Sequence, residues 1–234
     1  MSAIAFIPAR SGSKGIPHKN RKPFCGKPLV QWSIEAAKDS KLFDRIVVSS
    51  DDPVILALAK LMKVEADKRS AKMATDEVSL DAVMFDFFCR DGKIYDYISL
   101  LQPTSPLRTV DDLKEGYKLI QKKKNWSVVG VTWNPIMGWV ENPAVVNGKN
   151  TTAALYLVND RPNRQNRDNF YLENGALYWV KWGVFIQYHN RIGSPLHTKL
   201  YPMPPERSID LDSPWDWYIG ECAYKFLNNG HGGK

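Results

Sequence analysis

Short apolar runs alternate along this chain with segments of helical periodicity, and that alternation restricts the fold more than any other property of the sequence. Ile4 to Ile7, Arg45 to Ser49, Tyr97 to Leu101 and Ser127 to Thr132 carry the β-branched and aromatic residues of buried strands. Between them Leu29 to Ser40, the helix after Asp52-Pro53, Ser79 to Arg90 and Val110 to Lys122 place apolar residues at helical spacing. This β-α-β-α rhythm predicts an α/β fold: a mostly parallel sheet with helices on both faces. A short strand near Lys63 to Ala66, a later strand Ala176 to Val180, a helix Trp182 to Tyr188 and a strand Lys199 to Met203 extend the pattern.

At 234 residues the chain can form one large α/β domain or two small ones. Its 44% hydrophobic and 24% charged content is that of an ordinary soluble protein. No apolar run approaches the roughly 20 residues that span a bilayer, and no signal-like stretch follows Met1, so a cytoplasmic enzyme without a membrane partner is expected. Three well-separated cysteines and four scattered histidines show no zinc spacing. The net charge of +7 favours acidic partners. Lys122-Lys123-Lys124, the longest block of cations, ends a predicted helix and reads as a solvated C-terminus complementing the dipole; a nucleic-acid partner is not expected.

The first strand breaks at Pro8 into ARSGSKGIPHKN, residues 9–20, where Arg10, Lys14 and Lys19 surround Gly12 and Gly15. Glycines let backbone N–H groups approach a ligand, and the cations select an anion. The Walker pattern is absent, because the order is Gly12-Ser13-Lys14-Gly15 followed by Pro17. The dinucleotide pattern lacks its third glycine.

Two further features carry chemistry. The strand ending at Leu101 delivers Gln102 to Arg108 at its carboxyl end, where open α/β sheets bind ligands. Near the C-terminus, Ile209 to Asp212 reads as a strand whose alternation turns Asp210 and Asp212 to one face, a hard-oxygen pair suited to Mg²⁺ shared with phosphate. The plainer reading, helix capping by Asp212, accounts for one aspartate and not the other. From Trp133 to about Tyr171, prolines and glycines interrupt β-prone pieces such as Ala153 to Val158, and such a hairpin needs something to pack on.

Four of these strings, ARSGSKGIPHKN, LLQPTSPLR, RQ…ENGA and SIDLD, resemble in order the motifs of the sugar-acid cytidylyltransferases, which make CMP-sialic acid and related CMP-nonulosonic acids. The resemblance implies a three-layer α/β/α, Rossmann-like nucleotidyltransferase fold, residues 1–132 and 176–234, with a β-rich dimerisation insertion, residues 133–175. It implies a homodimer whose insertion reaches the neighbouring site, with CTP and a small anionic sugar acid as substrates and Mg²⁺ as cofactor. Arg10, Ser13, Lys14, Lys19 and Asn20 are then expected around the triphosphate, Arg69 and Ser79 around base and ribose, and Asp210 and Asp212 on the metal. Gln102, Ser105, Arg108, Arg164, Gln165 and Asn174 are expected on the sugar side. Arg108 has two open readings, a carboxylate partner or a cap for the turn before Asp111-Asp112. Leu172 stands where sialate-specific bacterial relatives often carry arginine, which leaves the choice among neuraminate, legionaminate and pseudaminate open.

The implied reaction is attack of the sugar acid's anomeric hydroxyl on the α-phosphorus of CTP, with pyrophosphate leaving. Arg10 and Lys19 are the residues expected at the reacting phosphate, and the proton acceptor is open between Asp212 and a metal-bound hydroxide. Rival readings are another nucleotidyltransferase of this fold, acting on Kdo or using a different nucleotide, and a non-catalytic nucleotide-binding dimer.

Overall fold

Along β1 (Ala3–Pro8), Ala3, Ala5 and Ile7 face one hydrophobic cluster while Ile4 and Phe6 face another. A strand apolar on both sides must be covered on both, and the computed structural model, which describes residues 1–134, 139–146, 149–154 and 170–229, supplies both covers. After β1 come the small hairpin β2 (Pro23–Phe24) and β3 (Lys27–Pro28), then α1 (Leu29–Ser40), β4 (Arg45–Ser50), α2 (Pro53–Leu61) and β5 (Glu65–Lys68). Next follow α3 (Leu80–Asp91), β6 (Tyr97–Leu100), α4 (Val110–Ile120) and β7 (Ser127–Trp133). The strands β8 (Trp139–Val146) and β9 (Lys149–Ala154) form a separate antiparallel hairpin. The chain closes with β10 (Tyr171–Lys181), α5 (Trp182–Tyr188), β11 (Thr198–Pro202) and α6 (Pro214–Asn228).

Seven strands form one sheet in the order β11-β7-β10-β6-β1-β4-β5. Among them β10 runs antiparallel to both neighbours, and the other pairings are parallel. Helices α1, α2 and α4 bury Val30, Ile34, Ile55, Ala59, Leu113 and Ile120 on one face; α3 and α5 bury Val83, Met84, Phe87, Phe88 and Phe185 on the other. The three-layer expectation holds. The chain winds outward from β1 through β4 to β5, then returns to place β6 on the opposite side of β1. That reversal opens a crevice at the carboxyl ends of β1 and β6, the usual ligand position in such sheets.

Three local expectations change. The strand placed near Lys63 to Ala66 lies at Glu65–Lys68, since its polar sequence gives little pattern to locate. The strand expected from Ala176 begins at Tyr171: Tyr171, Leu172 and Glu173 pair with Trp133, Thr132 and Val131 before the register shifts between Glu173 and Tyr178. Pairing to β7 recruits residues whose composition reads as loop. Finally, Ile209 to Asp212 is not a strand. Leu211 donates its N–H to the Thr104 carbonyl at 2.8 Å and Asp212 to the Asp210 carbonyl at 3.1 Å, while the nearby Pro202, Pro204, Pro205 and Pro214 have no N–H for a ladder. Of the β-prone stretch Ala153 to Val158, residues 155–158 lie outside the described residues.

Candidate functional site

The loop after β1 is tied down at several points. Ala9 donates its N–H to the Ser49 carbonyl at 2.9 Å, and the Ser50 hydroxyl donates to the Ala9 carbonyl. Asp51 accepts from the Ser11 N–H at 2.8 Å and from the Ser11 hydroxyl. Asn20, almost fully buried, donates from Nδ2 to the Arg10 carbonyl at 2.9 Å, closing the loop on itself. At Gly15 a Cβ would lie 2.1 Å from the Asp212 carbonyl oxygen, so glycine is what lets the loop touch the C-terminal segment. Ile16, Phe24, Leu29, Leu107, Leu211 and Trp217 cluster beneath, fastening residues distant in sequence to one another.

The cleft above is a small cavity of about 130 Å³ that opens to solvent. Arg10, Gly12, Ser13, Lys19, Asn20, Arg69, Gln102 and Thr104 contribute to its lining. The Lys19 ammonium, on a short 3₁₀ turn and largely buried, lies 2.7 Å from Asp212 Oδ1. Arg10 pairs with Asp76, and the exposed Lys14 shares that carboxylate at 3.0 Å from Oδ2. Arg69 is buried and donates to the Ser49 carbonyl at 3.0 Å; burial pulls its guanidinium below the ordinary arginine value, against the charges of Asp51 and Asp67.

Asp210 and Asp212 flank the fully buried Leu211. Burial pushes the Asp210 carboxyl above the usual carboxylate range, opposed by a hydrogen bond with the Thr104 side chain and reinforced by the charge of Asp212. Its Oδ1 is buried without a hydrogen-bond partner. Asp212 projects into solvent beside Lys19. Among the described residues no group of three His, Cys, Asp or Glu side chains could hold a metal unaided, so a cation here would need ligand oxygens as well as the two carboxylates. The orphaned Asp210 oxygen beside a second carboxylate fits such a cation.

The expected sugar-side residues divide. Gln102 lines the cleft. Arg108 is buried and donates from Nε to the Ala176 carbonyl at 2.7 Å, from Nη1 to Ser33 Oγ at 3.0 Å and from Nη2 to the Gln102 carbonyl. Neither sequence reading anticipates this: the guanidinium sews the loop to α1 and β10, and burial pulls its pKa down to about 10. Ser105 donates to the Asn174 carbonyl at 3.2 Å, and Asn174 is itself enclosed between Ser208 Oγ, Met203 and the Ala176 N–H. Ser79 caps α3 by accepting from the Ala82 N–H at 3.2 Å, next to Leu80, which lines the cleft. Arg164 and Gln165 lie outside the described residues.

Sequence reasoning missed Asp51, Asp76 and Thr104 as parts of the site. Asp51 and Asp76 sit in stretches that read only as polar turns, and Thr104 lay inside a quoted string without an assigned role. Gly175 was quoted for its motif alone; it has φ +69°, and a Cβ there would lie 2.8 Å from Gln102 Oε1.

Known proteins resemble this chain in sequence and in fold. Residues 4–188 match the family model described as Cytidylyltransferase. The chain is 35% identical over 233 residues, 98% of its length, to N-acylneuraminate cytidylyltransferase A of Danio rerio, and covers 52% of that protein. It is 30% identical to the pseudaminic acid cytidylyltransferase of Campylobacter jejuni, covering 96% of this chain and 97% of that one. The chain thus spans about half the length of the N-acylneuraminate cytidylyltransferases it matches, and nearly all of the pseudaminic acid cytidylyltransferase. In fold it is similar to a CMP:2-keto-3-deoxy-manno-octonic acid synthetase solved with CTP, with a TM-score of 0.66, 16% identity and coverage of 96% and 98% of the two chains.

Proposed function

The chain belongs to the cytidylyltransferase family, and from that premise we propose that it activates a nonulosonic sugar acid, joining the acid's anomeric oxygen to the α-phosphorus of CTP with loss of pyrophosphate. The observation that carries this reading is the meeting of chain positions 19 and 212: a loop cation that lines the cleft is paired at 2.7 Å with an acidic segment from the opposite end of the sequence.

In this reading Lys19 and Arg10 stabilise charge at the reacting phosphate, Lys14 holds the distal phosphates, and Ser13 donates to phosphate oxygen. Asn20 keeps the loop closed around them. Arg69, with Leu80 and the capped start of α3, walls the base and ribose side. Such transfers depend mainly on positioning and on preorganised charge, both of which the anchored loop supplies. Asp210 and Asp212 would hold Mg²⁺, which when bound neutralises phosphate charge that three cations leave uncovered. Gln102 faces the sugar acid, Arg164 and Gln165 complete its site, and Ser105, Arg108 and Asn174 support that wall from behind. The hairpin β8–β9 belongs to an insertion between β7 and β10 through which the chain forms a homodimer. A two-stranded hairpin is marginal alone, which supports a packing partner. Among the described residues no helix is long and apolar enough to cross a membrane.

Pyrophosphate release, measured with CTP, ATP, GTP and UTP against a panel of neuraminic, legionaminic, pseudaminic and Kdo acids, tests the reading. Release is expected with CTP and one or more nonulosonic acids. Release with Kdo alone, or with another nucleotide in preference, would redirect it, and silence across the panel would sink it.

A further inference from the structure

Each cation of the opening loop already has a counter-ion. Lys19 is held by Asp212, and both Arg10 and Lys14 are held by Asp76, whose two oxygens are divided one to each. Asp76 lies between the 3₁₀ turn Ala71–Met73 and the helix cap Ser79, on a stretch open to solvent. The ends of that stretch are fixed, by Arg69 on the Ser49 carbonyl and by Ser79 on α3.

Asp51 shows the contrast. It accepts from the N–H and hydroxyl of Ser11, neutral donors that give an incoming anion no charge to compete for. Asp76 instead occupies the cations themselves, and a polyphosphate that uses Arg10 and Lys14 must take them from it. Exposed ion pairs of this kind are individually weak and screened by salt, so the contact can exchange rather than lock.

The geometry points to Asp76 as an exchangeable counter-ion that competes with the pyrophosphate portion of the nucleotide for Arg10 and Lys14. The inference rests on the reading of this loop as a triphosphate cradle. Asp76 loosens the grip on CTP and, after transfer, reclaims both cations and speeds the departure of pyrophosphate. Without it the loop would bind polyphosphate more tightly and release product more slowly.

Calorimetric titration of the full chain with pyrophosphate and with CTP at low salt provides the test. Asp76→Asn, which keeps the shape and removes the charge, is expected to tighten pyrophosphate binding by about two- to tenfold, the range that weak exposed pairs allow. Asp76→Glu should stay near wild type, and high salt should erase the difference between wild type and the asparagine variant. Unchanged or weaker pyrophosphate binding in Asp76→Asn, in a wild-type background that binds both ligands, overturns the role of Asp76 alone. So does a glutamate variant that behaves like the asparagine one. Wild-type protein that binds neither CTP nor pyrophosphate overturns the cradle and this inference together.

Discussion

The two loops that frame the cleft are similar in polarity and opposite in use. In residues 9–20 the charged side chains are held by carboxylates at or near the surface: Arg10 and Lys14 by Asp76, Lys19 by Asp212. In residues 102–108 the charged side chain is consumed by the fold, since Arg108 spends its donors on Ala176, Ser33 and Gln102. An arginine bonded to neutral protein acceptors and enclosed by them cannot turn to an incoming carboxylate without leaving those acceptors unpaired. One facing a surface carboxylate can exchange it for a phosphate at little cost. Strings that look equally functional in sequence therefore leave their charges on surface carboxylates in one loop and build the frame of the cleft in the other.

Substitutions can break that contrast. Replacing the frame should have the largest effect: Arg108→Leu strands three acceptors in the interior and should cost about 3–5 kcal/mol of stability. Thermal unfolding should show it as a Tm lowered by about 10 °C. A stable variant that has lost only sugar binding would reverse the assignment of Arg108. For the binding loop the expectation is the opposite. Lys19→Ala should leave the circular dichroism spectrum and melting curve near wild type while lowering turnover by about 10²-fold, as its proposed role at the reacting phosphate requires. Turnover close to wild type would remove Lys19 from that role. The smallest effect is expected behind the second loop. Gly175→Ala puts a side chain on a positive-φ residue and into contact with Gln102, and should cost about 1–2 kcal/mol. If Gln102 faces the sugar acid, KM for the acid should rise severalfold with KM for CTP unchanged; a shift in the CTP value instead would place Gln102 on the nucleotide.

Much of the architecture was legible. Residues apolar on both sides of a strand, such as Ala3 to Ile7, demand two covering layers, and helical periodicity supplied the covers, so α1, α3 and α5 lie within a residue of their expected places. Errors fell where pairing overrules composition. Glu65–Lys68 is polar yet paired to β4, and Tyr171 to Glu173, outside the expected strand, are aligned by β7. At Ile209 to Asp212 the strand was wrong: Leu211 is buried between two acidic neighbours, held by Thr104 rather than by a ladder. The missed aspartates have the same origin. Asp51 and Asp76 sit in turns without pattern, and they matter because of what the fold sets opposite them, Ser11 for one and Arg10 with Lys14 for the other.

By itself the sequence determined the layered α/β fold, the cationic glycine loop after its first strand and the family to which the four motifs belong, because periodicity and local spacing are properties of neighbouring residues. Only the tertiary structure decided which polar side chains remain available to a ligand. That depends on partners far away in the chain: the Ala176 carbonyl that occupies Arg108, the Asp212 carboxylate beside Lys19, and the Asp76 carboxylate shared by Arg10 and Lys14.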